Sequence, residues 1–342
     1  MQDRIKRILK TGILMALLSN INSTVSIGAE EVSGAAEIVK VEEISDAAEI
    51  AEAEESPTSV KQYEFTSEDI RSLQLVQDGE EIFHISYEPK EYKMYFDYWE
   101  ILNPYSESST VDTEIMYQLY NVIAGFDFTK VVEDITTADA GLDTSSTCML
   151  VKYVDEADGN QKDDFEDSEY ETMQIFIGNT SEEGNYYASI EGEEGVYLLP
   201  ASSVDSVFEL NPFEYILKIP VLVNIEYLES VEVRTGEIVH IMEKNGDVYR
   251  LNGKDAEKEE FSEIYQALMN VFLVSEIKEA AEREKEEILR VVYHMKDRVP
   301  ETEVVYYTWE DEEFYTVAVN GKEQFLVRTE EVEMLMEYLT AI

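Results

Sequence analysis

The chain has 342 residues, of which 44% are hydrophobic and 11% aromatic, so it can bury a core and should form about two domains. Seventy-five acidic residues against 26 basic ones give a formal net charge of −49. Such a surface repels phosphate backbones and argues against nucleic acid as a partner. The single cysteine, Cys148, excludes an intrachain disulfide, and its strand-like surroundings predict a packed thiol rather than a nucleophile.

The first 28 residues have the pattern of an export signal. A basic region that ends at Lys10 precedes the apolar stretch Ile13–Leu18, and small residues follow up to Gly28. The apolar stretch is far shorter than the ~20 residues that cross a bilayer. We therefore predict a signal peptide over residues 1–28, or alternatively a weak membrane anchor. Either reading places the protein outside the cytoplasm, on the surface of a bacterial cell or secreted, with the membrane reached only through this segment.

Residues 29–60 contain ten acidic residues, one basic residue (Lys40) and no aromatic residue. Like charges without large apolar groups cannot offset the entropy lost on folding. This composition predicts an acidic, disordered tether.

Beyond Tyr63, alternating apolar and polar residues predict strands, and four dipeptides predict tight hairpin turns: Asp78-Gly79, Asp158-Gly159, Asn245-Gly246 and Asn320-Gly321. Apolar stripes at helical spacing predict a few helices among these strands. They are expected over residues 112–124 and 261–272, after Thr329, and after a cap at Ser202 or Ser203. A strand-rich chain with a few helices is of the α+β class.

Three segments of the first half recur, in the same order, in the second half. Gly79–Ile85 resembles Gly236–Ile241, Tyr117–Ile123 resembles Tyr265–Phe272, and Tyr187–Leu199 resembles Tyr315–Val327. The recurrence predicts two tandem α+β repeats, residues 61–212 and 213–342, each with antiparallel strands and about two packed helices. It also places His84 and His240 at equivalent positions.

The first repeat resembles the domain-of-unknown-function family 4340 (DUF4340) of bacterial cell-envelope proteins. The matching motifs are Trp99–Pro104, Ala140–Asp143, Ile177-Gly178, Tyr186–Ala188, and Val196–Leu198 followed by Val204 and Phe208. The resemblance covers roughly residues 65–253. It implies a role in the cell envelope, with a link to an ABC-transporter system, and it supplies no catalytic residue.

The sequence offers no clear catalytic, cofactor-binding or metal site. His84, His240 and His294 lie in strand patterns without the spacing of a zinc site. No nucleophile elbow or phosphate loop is visible, and Gly192–Gly195 is typical of a hairpin turn. The acidic run Asp155–Asp167 does not fit the EF-hand pattern, although weak cation binding there stays open.

The tyrosines allow two interpretations, ordinary sheet packing or an exposed aromatic face for a glycan or protein partner. The residues concerned are Tyr92, Tyr95, Tyr98, Trp99, Tyr186, Tyr187 and Tyr197. Packing is the favoured interpretation.

These observations predict a non-enzymatic, extracytoplasmic interaction or scaffold module that binds a protein or another envelope component. We expect it to use sheet edges, the groove between the two repeats, or the aromatic residues. Two alternatives remain: a wall-active hydrolase that uses carboxylates in a deep cleft, and a cation-dependent adhesion protein.

Overall fold

The computed structural model describes residues 65–90, 92–93, 98–105, 110–154, 170–277 and 284–340. All of these belong to one compact unit that begins after Pro57. The predicted boundary at residue 212 falls inside this unit. The predicted leader, the acidic tether and the Asp158-Gly159 turn lie outside the described residues.

The first half forms a seven-stranded antiparallel sheet with the order β3-β2-β1-β4-β5-β6-β7. Helix α1 precedes β4, and helix α2 follows β7. The bounds are β1 Ile70–Gln77, β2 Glu80–Tyr87, β3 Trp99–Asn103, α1 Thr113–Ala124, β4 Cys148–Val154, β5 Tyr170–Thr180, β6 Tyr186–Ile190, β7 Tyr197–Leu199 and α2 Ala201–Phe208.

The second half forms a nine-stranded antiparallel sheet with the order β11-β10-β9-β8-β13-β14-β15-β16-β12. Helix α3 precedes β12, and helix α4 follows β16. The bounds are β8 Leu228–Thr235, β9 Ile238–Asn245, β10 Val248–Leu251, β11 Lys254–Ala256, α3 Lys258–Leu268, β12 Leu273–Glu276, β13 Glu287–Met295, β14 Thr302–Thr308, β15 Phe314–Val319, β16 Lys322–Arg328 and α4 Thr329–Thr340.

The described residues therefore form two antiparallel sheets with four α-helices, the mixture that the α+β prediction describes. In the first sheet, β1 lies between its hairpin partner β2 and β4, and in the second sheet β8 lies between its hairpin partner β9 and β13. The second sheet adds β11 at one edge and β12 at the other.

Helix α1 begins where the sequence predicts. Helix α3 starts three residues before the predicted range 261–272 and ends four residues before its end, and Thr329 is the first residue of α4 rather than the one before it. Asp112 caps α1, since its carboxylate accepts hydrogen bonds from the backbone N–H groups of Glu114 and Ile115. The serine cap predicted for α2 is wrong. That helix starts after Pro200 without a side-chain cap, because the fixed φ of proline already leads the chain into the first turn.

Strand β2 carries a bulge that β9 lacks. Phe83 pairs with Leu75, and both side chains are fully buried. The next pair towards the turn is Glu81 with Val76, so Ile82 is an extra residue on its strand. The bulge keeps the apolar residues beyond it directed at the core.

Strand β9 pairs with β8 without such an extra residue. Val239 pairs with Arg234, and Ile241 pairs with Glu232. Because side chains alternate between the two faces of a strand, both apolar side chains lie on the face opposite the buried Val233. The apolar side chains of the recurring motif are therefore buried in the first sheet and exposed in the second.

One continuous core joins the two halves across the segment that connects them. The ring of Tyr105 packs on Phe325 with 5.0 Å between centroids, and its hydroxyl donates a 2.5 Å hydrogen bond to Glu276. The backbone N–H of Leu273 donates to the carbonyl of Lys218 in the connecting segment. Ring packing and hydrogen bonds therefore both connect the two halves.

Candidate functional site

The outward face of β9 and β10 carries a patch of exposed apolar side chains, which we call the β9 face. It consists of Val239 and Ile241, whose side chains are 41% and 43% exposed. Val248 on β10, 53% exposed, lies further along the same face, where it pairs with Asn245. Ile238, at the start of β9, is 54% exposed. Elsewhere in the described residues, the exposed large apolar side chains are Val131, Met334 and Tyr338, on other elements.

Charged side chains border the β9 face. Arg234 lies opposite Val239 and donates a 2.7 Å hydrogen bond to Glu232. Arg250 on β10 donates to Asp255 at 3.1 Å. Exposed apolar side chains beside charged ones form a surface composition that protein-binding patches share.

A second candidate is a cleft of about 220 Å³ between the two halves. Its first wall comes from the loop after β2 and from β3, its floor from the connecting segment, and its second wall from the ends of β13, β14 and β15. The lining residues include Lys93, Glu100, Val221, Val223, Met295 and Glu301.

The first wall of the cleft contains a buried ion pair. Glu100, 4% exposed, lies on β3, and its carboxylate accepts hydrogen bonds from the ammonium groups of Lys93 and Lys90. The backbone N–H of Glu88 donates to the carbonyl of Tyr98 at 2.6 Å, one step beyond the last β2–β3 pair, Tyr87 with Trp99. Removing charges from water is costly, so a buried pair contributes less to stability than its short contacts suggest.

The second wall offers oxygen acceptors. Glu301 is hydrogen-bonded to Nδ1 of His294 at 2.7 Å, and its side chain is 65% exposed. Asn320 sits in the β15–β16 turn with φ of 50°, and its side-chain oxygen accepts from the N–H of Glu303. The cleft thus has ammonium donors on one side and a carboxylate on the other.

The structure changes the interpretation of the histidines. His84 faces the outer side of the first sheet, where Nε2 lies 3.1 Å from the Ser72 hydroxyl, and burial lowers its pKa. His240 pairs with the buried Val233, a position that Phe83 fills in the first sheet. The predicted equivalence of His84 and His240 is therefore wrong by one residue, because the bulge at Ile82 shifts the phase of the strand.

Cys148 is buried at the start of β4, as predicted. Burial raises the pKa of its thiol, and the side-chain amide of Gln174 donates to its Sγ. A raised thiol pKa reduces the thiolate fraction, which is the reactive form.

The aromatic residues fall into two groups. Trp99 and Tyr197 are buried, and they make edge contacts with Tyr120 and Phe128 respectively. The remaining described ones are partly exposed: Tyr92, Tyr98, Tyr186 and Tyr187. Tyr95 lies outside the described residues. Packing is thus confirmed for the two buried members of the set.

The hydrolase alternative predicts an acid with a raised pKa inside a deep cleft. Burial does raise the pKa of Glu331, but this carboxylate is on α4, accepts a hydrogen bond from the N–H of Phe272, and does not line the cleft. In the part of the chain that the structure describes, no three His, Cys, Asp or Glu side chains are grouped to hold a metal ion. The acidic run Asp155–Asp167 lies outside it.

Several motifs behind the family resemblance meet in one small cluster. Ala140, Leu142 and Val196 pack together beside the first sheet. A Cβ atom at Gly178 would lie 2.3 Å from the carbonyl oxygen of Ala140, so this position of β5 requires glycine. These residues have packing roles.

No family model, curated protein or solved structure matches this chain. Among the described residues, no helix is both long and apolar enough to cross a membrane.

Proposed function

We propose that this protein is a non-enzymatic interaction module that works outside the cytoplasm, in the bacterial cell envelope, and binds a protein partner through its β9 face. The observation that carries the proposal is the exposure of Val239 and Ile241 on the outward side of a regular strand. In most proteins, apolar side chains at alternate positions of a strand face the core. Exceptions to this rule concentrate at functional sites.

The position of the patch supports a protein partner. Val239 and Ile241 are β-branched and stiff, so ordering them on binding costs little entropy. The arginines at the border, Arg234 and Arg250, each carry a carboxylate partner and offer polar contacts at the rim. With a chain charge of −49, self-association is opposed by like-charge repulsion, which favours a different protein.

The proposed location of the protein in the cell envelope rests on its sequence. The export pattern of residues 1–28 supports secretion, and the resemblance to the DUF4340 family supports an envelope role with a link to an ABC-transporter system. Amino-terminal sequencing of the protein from its native host should give a start at residue 29. Retention of Met1 would favour the anchored alternative.

We also propose that the two halves are diverged copies of one unit. Their strand orders support this, because β3-β2-β1-β4-β5-β6-β7 and β10-β9-β8-β13-β14-β15-β16 describe the same path, with a helix at the same two points. Duplication explains how one copy could keep a packed hairpin while the other turned the equivalent strand outward to bind.

The double variant Val239→Thr/Ile241→Thr tests the binding proposal. Threonine keeps the β-branched shape and removes the apolar surface, and both positions are exposed, so the fold should be retained. Pull-down from solubilised native envelope should recover a defined partner with the unchanged protein and lose it with the double variant.

Val131→Thr is the matched control, since Val131 is 38% exposed and lies away from β9. It should recover the partner in full. Equal recovery by the double variant would reject the β9 face as the binding surface.

A further inference from the structure

Three Asn-Gly dipeptides occur in the sequence, and all three lie in hairpin turns of the second sheet: Asn245-Gly246, Asn252-Gly253 and Asn320-Gly321. The three asparagines are all exposed. A Cβ atom added at any of the three glycines would meet no atom within 4 Å, so the surroundings of each glycine are open. Exposure and space therefore do not distinguish the three dipeptides.

Two of the asparagines are held against a neighbouring strand by hydrogen bonds. The backbone N–H of Asn252 donates to the carbonyl of Ile241 at 2.8 Å, and its Oδ1 accepts from the N–H of the same residue at 3.0 Å. Asn320 makes the same pair of hydrogen bonds with Glu303, at 2.8 and 2.9 Å. Both asparagines have positive φ values, 51° and 50°, as the first central residue of a type I′ turn does. Their carboxamide groups are therefore fixed in place.

Asn245 is placed differently. It is the last residue of β9 and pairs with Val248 across a two-residue turn, which consists of Gly246, with φ of 59°, and Asp247. Glycine with a positive φ at the first central position is typical of a type II′ turn. In the part of the chain that the structure describes, the side chain of Asn245 makes no hydrogen bond. Its carboxamide can therefore rotate towards the backbone nitrogen of Gly246.

We propose that Asn245-Gly246 is a site of spontaneous deamidation in the folded protein. The backbone nitrogen of Gly246 attacks Cγ of Asn245, a C–N bond forms, and the side-chain nitrogen leaves as ammonia. The proton that the glycine nitrogen loses and the one that ammonia gains are exchanged with solvent. Water then opens the five-membered succinimide ring at either carbonyl, which gives aspartate or isoaspartate. Water is the only co-reactant, and no group is oxidised or reduced.

The hydrogen bonds at the other two turns oppose the same reaction. Attack on Cγ of Asn252 or Asn320 requires the carboxamide to turn, which breaks the hydrogen bond to its Oδ1. The loss of this bond should slow the attack by about tenfold, which corresponds to ~1.4 kcal/mol of activation free energy. Asn245 carries no such restraint, so its rate should be the highest of the three.

Deamidation changes the charge at the end of β9. The product places a carboxylate opposite Val248 and on the same face of the strand as Glu243. Isoaspartate also adds one carbon atom to the main chain at this point. A modified chain is therefore more acidic than an unmodified one, and anion exchange should separate the two.

Incubation of the full chain at mildly alkaline pH tests the proposal. The protein is digested at intervals, and mass spectrometry follows the aspartate and isoaspartate forms of each peptide. In the folded protein, Asn245 should be modified about tenfold faster than Asn252 or Asn320 in the same sample. In denaturing urea the hydrogen bonds of Asn252 and Asn320 are lost, so the three rates should approach one another.

Asn245→Gln is the matched variant. Glutamine keeps an exposed amide, but it would have to close a six-membered ring, which is a slower reaction. The unchanged protein should form an early acidic species on anion exchange, and the variant should lack it. Equal rates at the three asparagines of the folded protein would overturn the inference, as would an advantage of Asn245 that persists in full in urea, or an early acidic species in the variant. All of these readouts are independent of a binding partner, so they test the modification separately from the β9 face.

Discussion

Glu331 is an acidic residue whose burial affects stability. Its carboxylate is partly buried at the start of α4 and accepts a hydrogen bond from the N–H of Phe272 at 2.8 Å. Burial is the largest cause of its raised pKa, and the backbone hydrogen bond and Arg328 oppose it. The charged form therefore costs stability at neutral pH.

Glu331→Gln should raise the melting temperature at pH 7 by roughly 1–2 °C, because glutamine keeps an oxygen acceptor for Phe272 and carries no charge. The folded-state pKa lies above the unfolded one, so the protonated carboxyl contributes stability below the unfolded pKa and loses it as pH rises through the folded value. Thermal unfolding measured from pH 7 downward should show the advantage of the variant shrinking as Glu331 protonates.

Glu337, which is exposed on the same helix, supplies the control. Glu337→Gln should leave the melting temperature at pH 7 essentially unchanged, because its charge is already in water. An advantage of the glutamine at position 331 that persists at low pH would show that burial of charge is not its cause.

At the scale of elements, one extra residue decides which face a strand presents. Ile85 follows His84 on β2 and is fully buried, and Ile241 follows His240 on β9 and is 43% exposed. The difference comes from the bulge at Ile82, which restores the inward phase in the first sheet.

Ile85→Ala should therefore lower the free energy of unfolding by about 2–5 kcal/mol, as for other buried isoleucines. Ile241→Ala should lower it by less than about 1 kcal/mol. Urea unfolding of the two variants measures both values. Similar losses at the two positions would contradict the outward register of β9.

The sequence predicted turns and helices better than it predicted which face of a strand is buried. The turns at Asp78-Gly79 and Asn320-Gly321 were predictable because positive φ values at both residues suit these residue types. Helix α1 was predictable for a similarly local reason, the apolar stripe over residues 112–124. The bulge at Ile82 was not predictable, because an inserted residue leaves the apolar and polar residue types of the motif recognisable. Its effect appears only when the pairing partner on β1 is known.

The cleft was anticipated only as a groove between the repeats. Its chemistry depends on Lys93 and Glu301, which are far apart in the chain and come together through the junction of the two halves. Nothing local marks either residue. Glu100 could be recognised as unusual only once its β3 neighbours were seen to be covered on both faces.

At the scale of the whole molecule, two sheets share one core and should unfold together. Tyr186→Phe removes a hydrogen bond of 2.9 Å to Asp205 that lies entirely within the first half. It should cost about 1 kcal/mol. If the halves form one cooperative unit, hydrogen exchange in urea should report the same lowered midpoint from β4 and from β13. A midpoint lowered in β4 alone would show two independent domains.

The two halves share one core, with a cleft at their junction and exposed apolar side chains on one strand face. The proposed function depends on the β9 face. Its most direct test is a photo-crosslinking amino acid placed at position 241 of the full chain in cells of the native host, with position 131 as the control. We predict a discrete adduct with one protein at position 241 and none at position 131. Absence of an adduct at 241, or the same adducts at both positions, would contradict the account.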